Sequence, residues 1–403
     1  MKSGPLPPPL AGIKVLDLSA VYSGPMAAAL LADQGADVIK VESPGGDICR
    51  RIGPAKGDIS GTFVAMNRGK RSIVLDLKSA EGKAVLRDLI ARTDVLMENF
   101  RPGVLAKLGF DRDTLSEINP KLIYLSITGF GQDGPYTESR VYDAVIQAVS
   151  GMCASHLEKP YGEPGLVATT ICDKLTSLTA AQAVTAALVA RGRDGQGRVI
   201  ELSMLDAALA FQWPDAMYNH MWLDDAPAPF PEAGGTLRPY KTRDGYVATM
   251  TPQQDEFEAL CKGLGALELA RDPRFTSVQV RARHAKEARE ALEPLFAGHD
   301  TDALVARLRQ ADAPVGKVNR KPEVVTDPQV VHNGTLVEID QGALGRVRVA
   351  RAAARFGESD PPTLPPAPHL GEHGESVLRE LGYDQARIAA LVAASVLQLP
   401  RKG

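Results

Sequence analysis

From its start to about residue 130, the chain alternates short apolar, β-branched runs with longer stretches of helical composition. The runs at 13–18, 37–42, 71–77 (RSIVLDL), 94–98 and 122–128 read as strands. The stretch 24–34, opened by Gly24-Pro25, reads as a helix. A second helix is expected from Ser79, a suitable N-cap with Glu81 in the first turn, to about Arg92. Strands separated by helices of this length predict a parallel sheet with crossovers, a Rossmann-like α/β layout. The turn after the first strand reads DLSAVYSGP. It lacks G-x-G-x-x-G and gives little support for a dinucleotide site.

Beyond that region, 173–190 is Ala/Leu/Thr-rich and predicts a buried helix; 198–202 reads as a strand and 203–221 as another helix. Around 224–238 the composition turns to Pro, Gly and acidic residues, which marks a domain boundary or a loop. A second α/β region follows, with a strand at 246–250 and helices near 254–263, 285–296 and 300–309. The last third holds a β-like stretch at 335–350, an extended proline-rich connector at 360–368 and helices at 375–381 and 386–394. Those two helices need docking to be ordered. A chain of 403 residues exceeds one ordinary core, so two domains are expected.

Composition narrows the class. Apolar residues make up 44% and charged residues 24%, the balance of a soluble globular protein. A net charge of −3 argues against a dominant nucleic-acid face, while leaving room for a local basic patch. Cys49, Cys153, Cys172 and Cys261 are far apart and form no C-x-x-C pair. This spacing predicts neither a disulfide framework nor zinc, and it suits a reducing cytoplasm. No run of about 18 apolar residues suggests a membrane span. The first ten residues are proline-rich, lack the apolar run of a signal peptide and read as a short extended tail. Seven histidines are scattered without ligand spacing, so no metal is expected.

There is no H-E-x-x-H, no G-x-S-x-G and no Walker loop. Cys172 reads as a buried small hydrophobe rather than a nucleophile. Asp173 lies between an apolar approach (LVATTIC) and the first turn of the Thr/Ala-rich helix. Helix N-terminal amides there favour the ionised carboxylate that a nucleophile needs. From spacing alone a simple helix cap is the more ordinary role.

Resemblance shifts that balance. The segments LAGIKVLDLSAVYSGPMAAALLADQGADVIKVESPGGD, NRGKRSIVLDLKSAEGK, ENFRPGVLAKLGF, NPKLIYLSITGFGQDGPY, YDAVIQAVSGM, VIELSMLDAALA and PQVVHNGTLVEI resemble, in order and over nearly the full length, the class III CoA-transferases. The resemblance implies a large CoA-binding α/β domain over 1–220, completed by about 330–403. It also implies a smaller α/β domain at 225–325, joined by two linkers, and an interlocked, ring-like homodimer. CoA and a carboxylate are implied as substrates, with no permanently bound cofactor, no membrane and no nucleic acid.

In that family one aspartate attacks the acyl-CoA thioester and passes through an anhydride and an aspartyl-CoA thioester; the match puts that residue at Asp173. Many relatives carry a Thr-Gly pair four and five residues later, where this chain has Ser177, Leu178 and Thr179 within DKLTS, and Lys174 is unusual directly after the aspartate. The resemblance assigns CoA contacts to Val21, Tyr22, Leu75, Lys78, Asn99, Phe100, Lys107, Arg140, Tyr142 and Met204. Lys and Arg suit the CoA phosphates. Leu75 and Met204 read equally as core residues, and Lys78 and Lys107 as solvated charges.

Racemase relatives carry a histidine where this chain has Tyr142. A phenol, ordinarily titrating near about 10, is a poor base at neutral pH, so transfer is expected over racemisation. His156 and His220 match no family catalytic position. A racemase and a catalytically silent CoA-binding protein are the alternatives, and a retained Asp173 argues against the silent one. Gly234 and Gly235 correspond to a glycine-rich lid of some transferases and read equally as an interdomain turn. The whole-chain pattern looks closest to relatives that use succinyl-CoA, so a small dicarboxylate acceptor is expected. Lys174, Arg238 and Lys241 are candidates to hold its second carboxylate. Arg238 reads equally as a surface residue.

Overall fold

The computed structural model describes residues 7–156, 163–231, 238–356 and 365–400. It divides into two compact units, one of residues 1–150, 167–211 and 329–403, the other of 151–166 and 212–328.

The larger unit is built on a seven-stranded sheet. Its strands are β1 (Lys14–Asp17), β2 (Asp37–Glu42), β3 (Lys70–Leu75), β4 (Val95–Glu98), β5 (Ile123–Thr128), β6 (Arg198–Ser203) and the two-residue β7 (Leu397–Gln398), in the order β7-β3-β2-β1-β4-β5-β6. All neighbours are parallel except β7, which pairs antiparallel with β3 through Leu397 and Leu75. Strands β1 to β3 run one way from the centre and β4 to β6 the other. The order therefore reverses between β1 and β4, the switch point where open α/β sheets bind ligands. The parallel interior reads as nearly continuous apolar runs because both faces are covered: Val95, Leu96 and Met97 are fully buried.

Four helices matter for the site: α1 (Ser23–Asp33), α2 (Ala80–Ala91), α3 (Asp143–Val149) and α4 (Ile171–Asp194). Ser79 caps α2 as expected, its Oγ accepting the Gly82 amide at 3.0 Å. The C-terminal helices Gly374–Glu380 and Gln385–Ala393 dock, with Val377, Leu378, Ile388 and Leu391 buried in the same core as β3 and α2. Two readings are corrected. The helix expected over 203–221 stops at Ala216, after Pro214 within it, and a single tight turn follows at Tyr218–His220. Helix α4 is buried on one face only; Leu178 and Val189 on the other are exposed.

The smaller unit carries a three-stranded antiparallel sheet of Tyr240–Lys241, Tyr246–Ala248 and Gly316–Lys317. Its core gathers Phe257, Phe275, Phe296 and Leu304 from the loops and helices around that sheet, with the Tyr240 ring stacked 4.2 Å from that of Phe296.

Candidate active site

A cavity of about 280 Å³ opens at the carboxyl ends of β1, β4 and β5. Its wall includes Val21 and Ser23 after β1, Asn99 to Pro102 after β4, Ile127 to Gly131 at the end of β5, Arg140 to Tyr142 before α3, Asp173 on α4 and Met204 after β6. Its cations are Arg101 and Arg140, both exposed.

The turn after β1 forms one side, and several contacts hold it. Val21 has φ of +71°, a left-handed conformation costly for a β-branched residue. Its N–H donates to Asp47 Oδ1 at 3.2 Å and its carbonyl accepts from Cys49 Sγ at 3.0 Å. Asn99 grips the residue before it: Oδ1 accepts the Ala20 N–H at 2.8 Å and Nδ2 donates to the Ala20 carbonyl at 2.7 Å. Gly24 lets the turn fold back, since a Cβ there would lie 2.2 Å from the Ser19 side chain.

Beneath the turn is a buried charge cluster. Lys70 Nζ donates to Asp17 Oδ2, the Pro25 carbonyl and Asn67 Oδ1 at 2.8, 2.8 and 2.9 Å, which uses all three ammonium protons. Lys40 Nζ lies 3.0 Å from Asp47 Oδ2 and donates to the Ser19 carbonyl at 2.8 Å. Arg50 pairs with Glu42 at 2.7 Å. The strand signals at 13–18 and 37–42 hid Asp17, Lys40 and Glu42, because a buried charge paired inside a sheet reads as an ordinary polar position.

Asp173 opens α4 on the opposite side. Its backbone N–H donates to Oδ1 of Asp143, 3.0 Å away on α3. Asp143 Oδ2 in turn accepts from Gln147 Nε2 at 2.7 Å. The Gln147 amide oxygen accepts the Val167 N–H at 2.8 Å, tying down the segment that leads into α4. Burial pushes the Asp173 carboxyl up to about 7, and the Asp143 charge adds to the rise; the Ser23 backbone amide and Lys174 pull it back. Helix-end amides were expected to favour the ionised form outright. They are outweighed here because burial dominates and a second carboxylate already occupies the helix end.

Of the residues singled out in the sequence, Val21, Asn99, Phe100, Arg140, Tyr142, Asp173 and Met204 meet in this one cavity. Tyr22 occupies the N-cap position of α1 next to it, half-buried and with no side-chain capping bond. Leu75 is buried in the core on β3, and Lys78 and Lys107 are exposed; none of these three lines the cavity. Arg238 lines a cavity of about 400 Å³ within the smaller unit, with Pro239, Met250 and Val315. Gly234 and Gly235 lie outside the described residues. Sequence reasoning missed Ser23, Arg101, Asp143 and Gln147. Asp143 and Gln147 left a signal: they are the polar pair, four apart, in an otherwise apolar helix (DAVIQAV).

Known proteins resemble the chain along most of its length. The model of CoA-transferase family III matches residues 10–374. A succinate–glutarate CoA-transferase of Agrobacterium fabrum is 37% identical over 385 residues, covering 93% of this chain and 96% of that protein. A formyl-CoA:oxalate CoA-transferase of Escherichia coli is 34% identical over 414 aligned residues, covering 95% and 98%. The crystal structure of a CaiB/BaiF family protein from Brucella suis superimposes with a TM-score of 0.79 at 34% identity, over 93% of this chain and 100% of that one.

Proposed function

The chain belongs to CoA-transferase family III, and on that premise we propose that it moves CoA from an acyl-CoA donor to a small dicarboxylate through covalent intermediates on Asp173. The observation that carries this reading is the setting of Asp173. It is a partly buried carboxylate with its titration near neutrality, facing a cavity at the sheet's switch point.

The Asp173 carboxylate attacks the thioester carbonyl; the C–S bond breaks, CoA leaves as thiolate and a mixed anhydride remains. The thiolate attacks the aspartyl carbonyl, releasing the donor carboxylate and leaving an aspartyl-CoA thioester. The acceptor carboxylate displaces the thiolate to form a second anhydride. The thiolate then takes the acceptor's acyl group and frees Asp173. No proton is gained or lost, so no general base is needed, in keeping with Tyr142 where racemases have histidine.

Val21, Tyr22 and Met204 serve the pantetheine arm in this reading, while Asn99, Phe100, Lys107, Arg140 and Tyr142 serve the nucleotide and the closing side. Lys78 reaches the adenine side from the surface. Leu75, being buried, contributes through its backbone. The dicarboxylate follows from the similarity to the succinate–glutarate enzyme and from the need to pair a second buried carboxylate. Lys174, next to Asp173 in the larger unit, is the cation proposed for that task; Arg238 and Lys241 belong to the smaller unit. Turnover with succinate, glutarate, formate, oxalate and a long monocarboxylate as acceptors tests the substrate class: dicarboxylates no better than monocarboxylates would overturn it. Asp173→Ala should lower turnover at least about a thousandfold while CoA still binds. Near-normal turnover would remove Asp173 from the mechanism.

The working form in this reading is an interlocked homodimer in the cytoplasm. Large apolar side chains left in solvent support a partner: Leu178 and Val189 on α4, Phe211, Trp222 and Leu223, the last 93% exposed. Among the described residues no helix is long and apolar enough to cross a membrane. Sedimentation at nanomolar concentration should give a dimer, and a clean monomer would overturn the assembly.

A further inference from the structure

Helix α4 lacks a cap of its own. Thr170, at its N-cap position, makes no side-chain capping bond. The acceptor at this helix end comes instead from a different helix, where Asp143, 6% exposed, receives the Asp173 N–H. A cap normally sits on the helix it serves. Here it ties the residue at the head of the cavity to the segment that forms the cavity's other wall, since Asp143 directly follows Arg140, Val141 and Tyr142. A carboxylate is the group that fits. Its two oxygens face two donors, the Asp173 N–H and Gln147 Nε2, and Gln147 cannot turn round because its own oxygen holds the Val167 N–H.

We propose that Asp143 is a positioning residue for the transfer reaction, its carboxylate capping α4 from α3 and so fixing the backbone of Asp173 against the cavity wall. This rests on the reading of Asp173 as the nucleophile. Asp143 therefore has two separable effects. Its hydrogen bond sets where the nucleophile stands. Its charge opposes ionisation of the nucleophile and adds to the rise that burial causes. The other groups that act on the Asp173 carboxyl are Lys174 and the Ser23 amide, which favour its charge, and Tyr22 and Cys49 also lie close enough to couple with it.

The two effects are tested by two substitutions in the full-length protein, with thermal unfolding confirming that each folds. Asp143→Asn keeps the size but leaves one donor without an acceptor and removes the charge. It should lower kcat by about 10- to 100-fold, the scale of a nucleophile displaced by about 1 Å, with little change in KM for the acyl-CoA donor. It should also move the acid limb of the pH–rate profile to lower pH. Asp143→Glu keeps the charge but extends the carboxylate by one methylene, so kcat should fall while the acid limb stays. A folded Asp143→Asn with wild-type kcat or an unmoved acid limb overturns the proposal, and so does a folded Asp143→Glu with wild-type kcat. Trapping with hydroxylamine after addition of acyl-CoA keeps the two readings apart. If wild-type protein is not modified at Asp173, the nucleophile assignment is at fault. If Asp173 is modified in wild type and just as fast in both Asp143 variants, only the positioning role fails.

Discussion

Asp17 closes β1 with its carboxylate fully buried, and Asp173 opens α4 with its own carboxylate largely out of water, yet the two are held in opposite ways. Asp17 touches the Lys70 ammonium at 2.8 Å, accepts the Ser19 amide at 2.9 Å and feels Lys40 nearby. Burial pushes its carboxyl up, but the two cations and the hydrogen bonds outweigh it, and the group sits below the usual carboxylate range. Asp173 has no ion-pair partner at contact distance among the described residues. Its neighbour is another carboxylate, and its carboxyl rises to about 7. The larger unit thus keeps one carboxylate satisfied to hold the turn after β1, and another under-satisfied at the cavity, where the proposed mechanism calls for a nucleophile.

The contrast breaks most visibly if the satisfied member is removed. Asp17→Ala leaves Lys70 and Lys40 buried without their shared counter-charge, and losing one partner of a buried pair typically costs about 3–5 kcal/mol. Urea unfolding at a fixed protein concentration measures it. A loss under about 1 kcal/mol would mean that the cluster is redundant. Because the Asp17 carboxyl is held below its unfolded value, its contribution is present above that unfolded value, near about 4, and is lost as the pH falls through the folded one.

Asp173 should behave with the reverse sign. Its carboxyl is raised from 3.8 to about 7, so between those values the folded state binds more protons than the unfolded chain. Stability therefore falls as pH rises through that window, and the loss is complete above it. Asp173→Asn removes the penalty. It should unfold at higher urea than wild type at pH 8, by a few kcal/mol and at most about 4, while the difference shrinks by pH 4. A variant that is less stable at pH 8 would show that the Asp173 carboxylate is as well held as that of Asp17.

Much of this was legible in the chain. The strand at 37–42 was read with its observed bounds, and β1, β3, β4, β5 and β6 to within a residue or two, because buried parallel strands leave unbroken apolar runs between polar helix faces. Strand β7 escaped, as did Tyr240–Lys241 and Gly316–Lys317, since two residues show no periodicity. The cavity's members Asn99, Phe100, Arg140, Tyr142 and Met204 came from family resemblance rather than from spacing, and only the fold brings them next to Val21 and Asp173. Asp143 was passed over because a polar residue opening a short helix reads as a local cap. Nothing in its own sequence neighbourhood says that it serves a helix some thirty residues later.

The smallest effect separates the two aspartates in the intact protein. If Asp173 must be ionised to attack, and titrates near 7, then at pH 6 only about a tenth of it is ready. The kcat/KM for the acyl-CoA donor should then stand about tenfold below its alkaline plateau. A carboxylate held like Asp17 would be fully ionised there and give a flat profile. The donor's own phosphate also titrates near pH 6, so CoA affinity measured at each pH must be divided out. What remains is the ionisation of the enzyme with its donor bound. A corrected profile that is level from pH 5 to 8 would mean that bulk water or an unrecognised donor reaches Asp173 and offsets its burial. The difference between the two carboxylates would then be one of location rather than of charge.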